Sequence, residues 1–290
     1  MSEYLLPRLR HKRKRRQPIV SITAYDYFTA LLAREIDADF VLVGDSLGNV
    51  VQGAQTTVGV DLDEVIYHTK IVCRHFPPTR VVLDMPFGSF KVDADETVAN
   101  CVKAFKATGC GAVKFEGVTN DNLFAISTLT EIGVPVLGHI GLQPQRVHSD
   151  GGFKLQGKTE KQAASIMEDA KALQQAGVFA MVLECVVPEV AAAITREVKV
   201  PTIGIGAGNE CDGQIIVVHD ILGMLPGHVP GFVRQYANLF ETATAAVQGY
   251  ADDVTAGTFP PKKPKEHKLA GVYGGTNGDS TPKPDGNTDN

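Results

Sequence analysis

Eight short apolar runs recur along the chain, most of them followed by a stretch of helical periodicity, and this alternation limits the fold more than any other feature. The runs are PIVSITA from Pro18, FVLVGDS from Phe40, RVVLDMP from Arg80, AVKFEG from Ala112, VPVLGHIG from Val134, AMVLEC from Ala180, PTIGIGAG from Pro201 and QIIVVHD from Gln214. Most are rich in Val, Ile and Leu on both faces, as parallel strands covered by helices require. Asp93 with Glu96 makes a capping pattern, followed by Val98, Cys101, Val102 and Phe105 on one helical face before Gly109. Thr159 with Gln162 repeats it, with Ala163, Ile166, Met167, Ala170 and Leu173 behind and Gly177 as the stop. Asp61 with Glu64, and Pro188, open two more helices. Eight strand-then-helix units with short connections predict an α/β fold, a closed (β/α)8 or TIM barrel forming a single domain over residues 18–258, with an open sheet as the alternative.

Composition excludes several other classes. At 290 residues, 43% hydrophobic and 21% charged, the chain can bury a large core and is not mainly disordered. It has no run of 18 apolar residues and no pattern of a secretory signal, so no membrane span is expected. Cys73, Cys101, Cys110, Cys185 and Cys211 lack C-x-x-C spacing, which argues against a disulfide framework or structural zinc and for a reducing, cytoplasmic compartment. Residues 1–16 carry a balance of +6 and the remainder −11. That basic run has the composition of a nucleic-acid arm, but Leu5, Leu6 and Leu9 at helical spacing favour a solvated helix leading into the fold, so residues 1–17 read as a lead-in segment and nucleic acid is not an expected partner. Residues 143–157, QPQRVHSDGGFKLQG, form a long connection with the character of a lid. The Pro-, Gly- and Asn-rich residues 259–290 read as a disordered tail.

In a parallel barrel, chemistry sits at the C-terminal ends of the strands, and here charges recur there. The second run ends in Asp45 and Ser46, the third in Asp84, the fourth in Lys114 and Glu116, the fifth in His139 and the sixth in Glu184. Strand alternation points Lys114 and Glu116 into the barrel mouth and Val113 and Phe115 toward the helices. Lys114 is one positive charge against Asp45, Asp84, Glu116 and Glu184, a deficit that a hard divalent cation such as Mg2+ would fill better than zinc. The alternative is a salt-bridge cluster closing the mouth. His139 reads either as a ligand contact or as a satisfied core histidine. Gly204-x-Gly206-x-Gly208 lacks dinucleotide-loop spacing and reads as close packing, and Cys185 as a core residue facing away from Glu184.

The strings VGDSLGNVVQG at 43–53, LDMPFGSF at 83–90, VKFEG at 113–117, GHIGLQPQ at 138–145, LEC at 183–185 and IGIGAGNECDGQIIVVHDILG at 203–223 closely resemble the ketopantoate hydroxymethyltransferase family, over about residues 18–250. That resemblance implies a (β/α)8 enzyme of pantothenate and coenzyme A biosynthesis, typically a homodecamer. It implies transfer of a hydroxymethyl group from the co-substrate 5,10-methylenetetrahydrofolate to 3-methyl-2-oxobutanoate, giving 2-dehydropantoate through a Mg2+-stabilised enolate. Residue by residue, it implies Asp45, Asp84 and Glu116 as magnesium ligands and Glu184 as proton acceptor. Asp45, Ser46, Asp84, Lys114 and His139 are implied as substrate contacts. Val118 departs from the pattern, standing where many members have a second glycine. The isocitrate lyase and phosphoenolpyruvate mutase group is the nearest rival, but its K-K-C-G-H loop is absent. A non-catalytic barrel serving as an oligomeric scaffold or nucleic-acid binder is the rival from another class.

Overall fold

Eight parallel strands close into a barrel in sequence order: β1 Ile19–Thr23, β2 Phe40–Val43, β3 Val81–Asp84, β4 Ala112–Glu116, β5 Val136–Gly141, β6 Ala180–Glu184, β7 Thr202–Ile205 and β8 Gly213–Ile216, with β8 pairing back onto β1. The computed structural model describes residues 2–152, 154–227 and 229–261. Each of the eight apolar runs contributes one strand, and closure decides against the open sheet. The helices are α1 Leu5–Lys14, α2 Tyr27–Glu35, α3 Leu62–His75, α4 Ala94–Thr108, α5 Asn120–Glu131, α6 Glu160–Ala176, α7 Pro188–Glu197, α8 Val218–Leu222 and α9 Leu239–Ala256, besides shorter turns. Two compact units are present, residues 1–240 and the segment from Glu241, in which helical residues continue to Ala256. The expected tail falls almost wholly outside the described residues.

Local chemistry starts the helices where the capping patterns stand. The Asp93 carboxylate accepts from the Glu96 N–H at 2.9 Å, and α4 stops on Gly109 in the left-handed conformation. Thr159 accepts from Gln162 N at 3.2 Å to open α6, while the Gln162 side chain accepts from Lys158, one residue further back than a capping box predicts. Glu64 accepts from Asp61 N at 2.8 Å, and Pro188 occupies the first turn of α7.

Alternation then sorts each strand. Val41, Val81, Leu83, Val113, Phe115 and Val136 pack outward with the helices. Phe40, Leu42, Val82, Ala112, Leu137, Ala180, Val182, Ile203 and Ile215 point inward and form a second apolar cluster that fills the barrel. Leu5 and Leu9 of α1 belong to that inner cluster and are buried. The solvated lead-in helix is therefore corrected: α1 plugs the barrel from below. Its basic side chains hold it there. Arg8 Nε reaches Asp39 Oδ1 at 2.7 Å and its Nη2 reaches Asp37 Oδ2 at 2.8 Å. Lys12 also pairs with Asp39, and Arg13 donates to the carbonyls of Thr195 and Val198. Periodicity marked the leucines, but the buried carboxylate of Asp39 that recruits the cations lies too far along the chain to be read from the basic run itself.

Candidate active site

With apolar side chains filling the lower barrel, the polar members of the same inward-facing rows are left at its C-terminal mouth. Asp84 ends β3 above Val82, Lys114 and Glu116 follow Ala112 on β4, His139 follows Leu137 on β5, and Glu184 follows Val182 on β6. Register aligns them: Asp84 pairs with Lys114 and Glu116 with His139 across neighbouring strands. Asp45 and Ser46 stand just beyond β2. All seven residues singled out in the sequence line one cavity of about 170 Å³, together with Asn49, Thr57 and Pro144.

The cavity is electrostatically strained. Lys114 Nζ donates to Asp84 Oδ2 at 2.5 Å, with both side chains buried. Burial pushes the Lys114 ammonium down, but Asp84, Glu116 and Asp45 outweigh it, so its pKa stands above the ordinary lysine value. A single lysine cannot keep every carboxylate ionised. Burial raises Asp84 to about 7 and Glu116 to about 8 against the pull of Lys114. Asp45 rises too, opposed by Lys114 and by the Gln145 amide, which donates to it at 3.0 Å. Glu184 is raised by burial to about 7. Its Oε2 lies 3.2 Å from His139 Nε2. Burial first, and then Lys114 and Lys91, hold the His139 imidazole well below its ordinary pKa, so it faces Glu184 as a neutral ring.

A cation fits this donor set. Asp84 Oδ1 and Glu116 Oε2 are buried without a hydrogen-bond partner, and every candidate donor is a hard oxygen. Among the described residues no three His, Cys, Asp or Glu side chains converge as a complete metal cage. Magnesium does not demand one, because it is commonly held by one or two carboxylates with water and substrate oxygens completing the shell.

Sequence reasoning missed three side chains. Tyr25, buried after β1, shares a 2.8 Å hydrogen bond with Ser46 Oγ. Gln145, buried in the long connection, ties Asp45 to the Met85 carbonyl at 3.0 and 3.1 Å. Lys91 sits nearby on the loop after β3 in a left-handed conformation, φ 69°. Gln145 closes the GHIGLQPQ string, but nothing local in that string shows that it reaches Asp45.

One expectation changes here and one is met. Cys185 does not continue the alternation of β6: the strand ends at Glu184, and Cys185 turns into the left-handed region at φ 47°, half-buried. Burial and Glu184 push its thiol up to about 11, which leaves it a poor nucleophile. Residues 143–157 are less open than a plain loop, with helical turns at Pro144–Arg146 and Val147–Asp150 and a bridge from Gln156 to Val186. The glycine run after β7 is close packing: a Cβ on Gly206 would meet the Phe232 ring at 2.8 Å, and one on Gly208 would meet Pro188 at 2.7 Å.

A closed (β/α)8 barrel with a lysine, a neutral histidine and buried carboxyls of raised pKa at its C-terminal mouth defines an enzyme built for acid–base chemistry on a small molecule. A family model for ketopantoate hydroxymethyltransferase matches residues 4–262. The chain is 48% identical over 252 residues to the 3-methyl-2-oxobutanoate hydroxymethyltransferase of Syntrophomonas wolfei, covering 87% of this chain and 91% of that one. It is 46% identical to the protein of the same name from Moorella thermoacetica, over 89% and 96% of the two chains. The chain belongs to the ketopantoate hydroxymethyltransferase family. Its fold is also that of a phosphonopyruvate hydrolase solved with oxalate and Mg2+, at TM-score 0.59 and 12% identity over 93% and 95% of the two chains. A 2,3-dimethylmalate lyase shares it at TM-score 0.57 and 14% identity, over 93% of each chain.

Proposed function

We propose that the enzyme transfers a hydroxymethyl group from 5,10-methylenetetrahydrofolate to C3 of 3-methyl-2-oxobutanoate, with water, giving 2-dehydropantoate and tetrahydrofolate for pantothenate and coenzyme A biosynthesis. The observation that carries this reading is Glu184: a buried carboxyl with a pKa of about 7, beside a neutral histidine and in the same cavity as the Lys114–Asp84 pair. Such a group is matched to proton abstraction near neutral pH.

Asp45, Asp84 and Glu116 would hold magnesium. When bound, it supplies Lewis-acid polarisation of the oxo-acid oxygens, worth several kcal/mol. Lys114 neutralises the substrate carboxylate or the enolate oxygen, and Ser46, fixed by Tyr25, orients it. His139 adds a further substrate contact. Glu184 takes the C3 proton, and the electron pair left at C3 attacks the methylene carbon of the donor. That attack replaces one of the methylene carbon's two bonds to folate nitrogens; water then displaces the second nitrogen and supplies the hydroxyl, and the proton from C3 and one from water end on the two nitrogens of tetrahydrofolate.

A homodecamer in the cytoplasm is part of the same reading. Phe240, Val247, Tyr250 and Val254 of α9 are exposed, and an apolar row of that kind suits an interface between copies. The direct test is 2-dehydropantoate formation from the branched oxo acid. Product should require the folate donor, disappear on magnesium chelation and return with added Mg2+. No product under any of these conditions would refute the reading.

A further inference from the structure

A second cavity, of about 340 Å³, opens on the rim over β3 to β5 and is lined by Phe87, Lys91, Val118, Thr119, Gln143 and Asp169 among others. It is next to the first: Pro144 lines one, while its chain neighbours Gln143 and Gln145 line the other. Its volume lies at the small end of the range for small-molecule sites. We propose that this cavity is the subsite for the aryl-amide and carboxylate end of the one-carbon donor, with Lys91 receiving the carboxylate. The proposal rests on the reaction given above and adds where its second substrate is held.

Lys91 carries the argument. Its ammonium donates to the neutral Gln143 Oε1 at 3.1 Å and lies 5.0 Å from the Phe90 ring centroid, with no described carboxylate at ion-pairing distance. A half-buried cation held only by an amide oxygen and a ring face lacks the anion that would offset its lost hydration. Burial pushes its pKa down accordingly, although the field of Glu116 opposes the fall. Its backbone φ of 69° is a region that a residue with a side chain occupies only when its surroundings hold it there. The backbone beside the ammonium leaves no room to spare. Gly117 has φ 82°, and a Cβ there would meet Gln143 Oε1 at 2.4 Å and Lys91 Nζ at 3.1 Å.

The remaining lining suits the rest of that ligand. Phe87 is 54% exposed, an apolar face for an arene. The half-buried Asp169 carboxyl can accept from an amide N–H. Thr119 caps the start of α5 and adds a hydroxyl.

The test crosses two changes in the enzyme: Lys91→Met in the protein, and replacement of the donor's glutamyl group by a neutral amide, using the methylene derivative of tetrahydropteroamide, which keeps the arene and the amide but carries no carboxylate. Loss of the carboxylate should lower kcat/KM for the donor about tenfold in the unsubstituted enzyme and less than about twofold in Lys91→Met, because the charge-assisted contact is already gone. Lys91→Gly, which relieves the left-handed backbone, should give the same loss of coupling and replaces Lys91→Met if that variant does not fold. Equal losses in the unsubstituted and substituted enzymes overturn the subsite while leaving the reaction standing. Failure of the unsubstituted enzyme to turn over either donor overturns the reaction and the subsite together.

Discussion

Gln145 donates its amide N–H to Asp45 Oδ2 at 3.0 Å, joining positions 100 residues apart in the sequence. One carboxylate oxygen of Asp45 is thereby fixed by a side chain from the connection after β5, which also holds the Met85 carbonyl beside Asp84. In the proposed magnesium site, a carboxylate oriented in this way would lose less freedom when the cation binds. Gln145→Ala should therefore weaken Mg2+ binding by about tenfold or more, the usual cost of removing a group that orients a metal ligand. Calorimetric titration of Mg2+ into the substrate-free protein reads this directly; an unchanged Kd would show that Asp45 needs no such support.

The raised carboxyls make stability depend on pH with a definite sign. Burial raises Asp84, Glu116 and Glu184 to about 7, 8 and 7 in the fold, from ordinary values of 3.8, 4.5 and 4.5. Groups whose folded pKa is raised contribute stability that is full below the unfolded pKa and is lost as pH climbs through the folded one. Asp37 runs the other way: Arg8 and Arg80 lower it from 3.8 to about 2, so its contribution holds above the unfolded value and fades as pH falls through the lower one. Without metal, Tm should fall by about 4 °C or more between pH ~5 and pH ~8. Added Mg2+, which favours the ionised carboxylates, should raise Tm more at pH ~8 than at pH ~6. A Tm that climbs steadily over this interval without metal would contradict the assignment of buried, uncompensated acids.

The helix that plugs the barrel offers a contrast within a single element. Leu9→Ala removes a fully buried side chain from the inner cluster and should cost about 2–5 kcal/mol, whereas Arg10→Ala, on the exposed face, should stay within about 0.5 kcal/mol. Urea unfolding of both variants checks this. Equal and small effects would restore a merely solvated lead-in.

What could be read along the chain followed from short-range rules. Period-2 alternation placed Lys114 and Glu116 on one face and Val113 and Phe115 on the other, and strand ends marked Asp84, His139 and Glu184. Contacts between distant segments were not readable in this way. The Arg8–Asp39 pair, the Tyr25–Ser46 hydrogen bond and the Gln145–Asp45 bond join elements that only tertiary packing brings together, not any local pattern. Cys185 shows the other limit: alternation is a property of extended backbone, and it lapsed one residue beyond the strand when φ turned positive. Lys91 carried no periodic signal, since it lies in a loop.

The proposed reaction turns on Glu184 removing the C3 proton of a branched 2-oxo acid held in the cavity with Asp84 and Lys114. Deuterium exchange at C3 of 3-methyl-2-oxobutanoate, followed by NMR in D2O with Mg2+ and no folate, isolates that step. The enzyme should exchange the proton at a rate that rises with pH through about 7, as Glu184 ionises. Glu184→Gln should bind the oxo acid yet exchange about 10²- to 10⁴-fold more slowly. Exchange at an undiminished rate in Glu184→Gln would rule out Glu184 as the base.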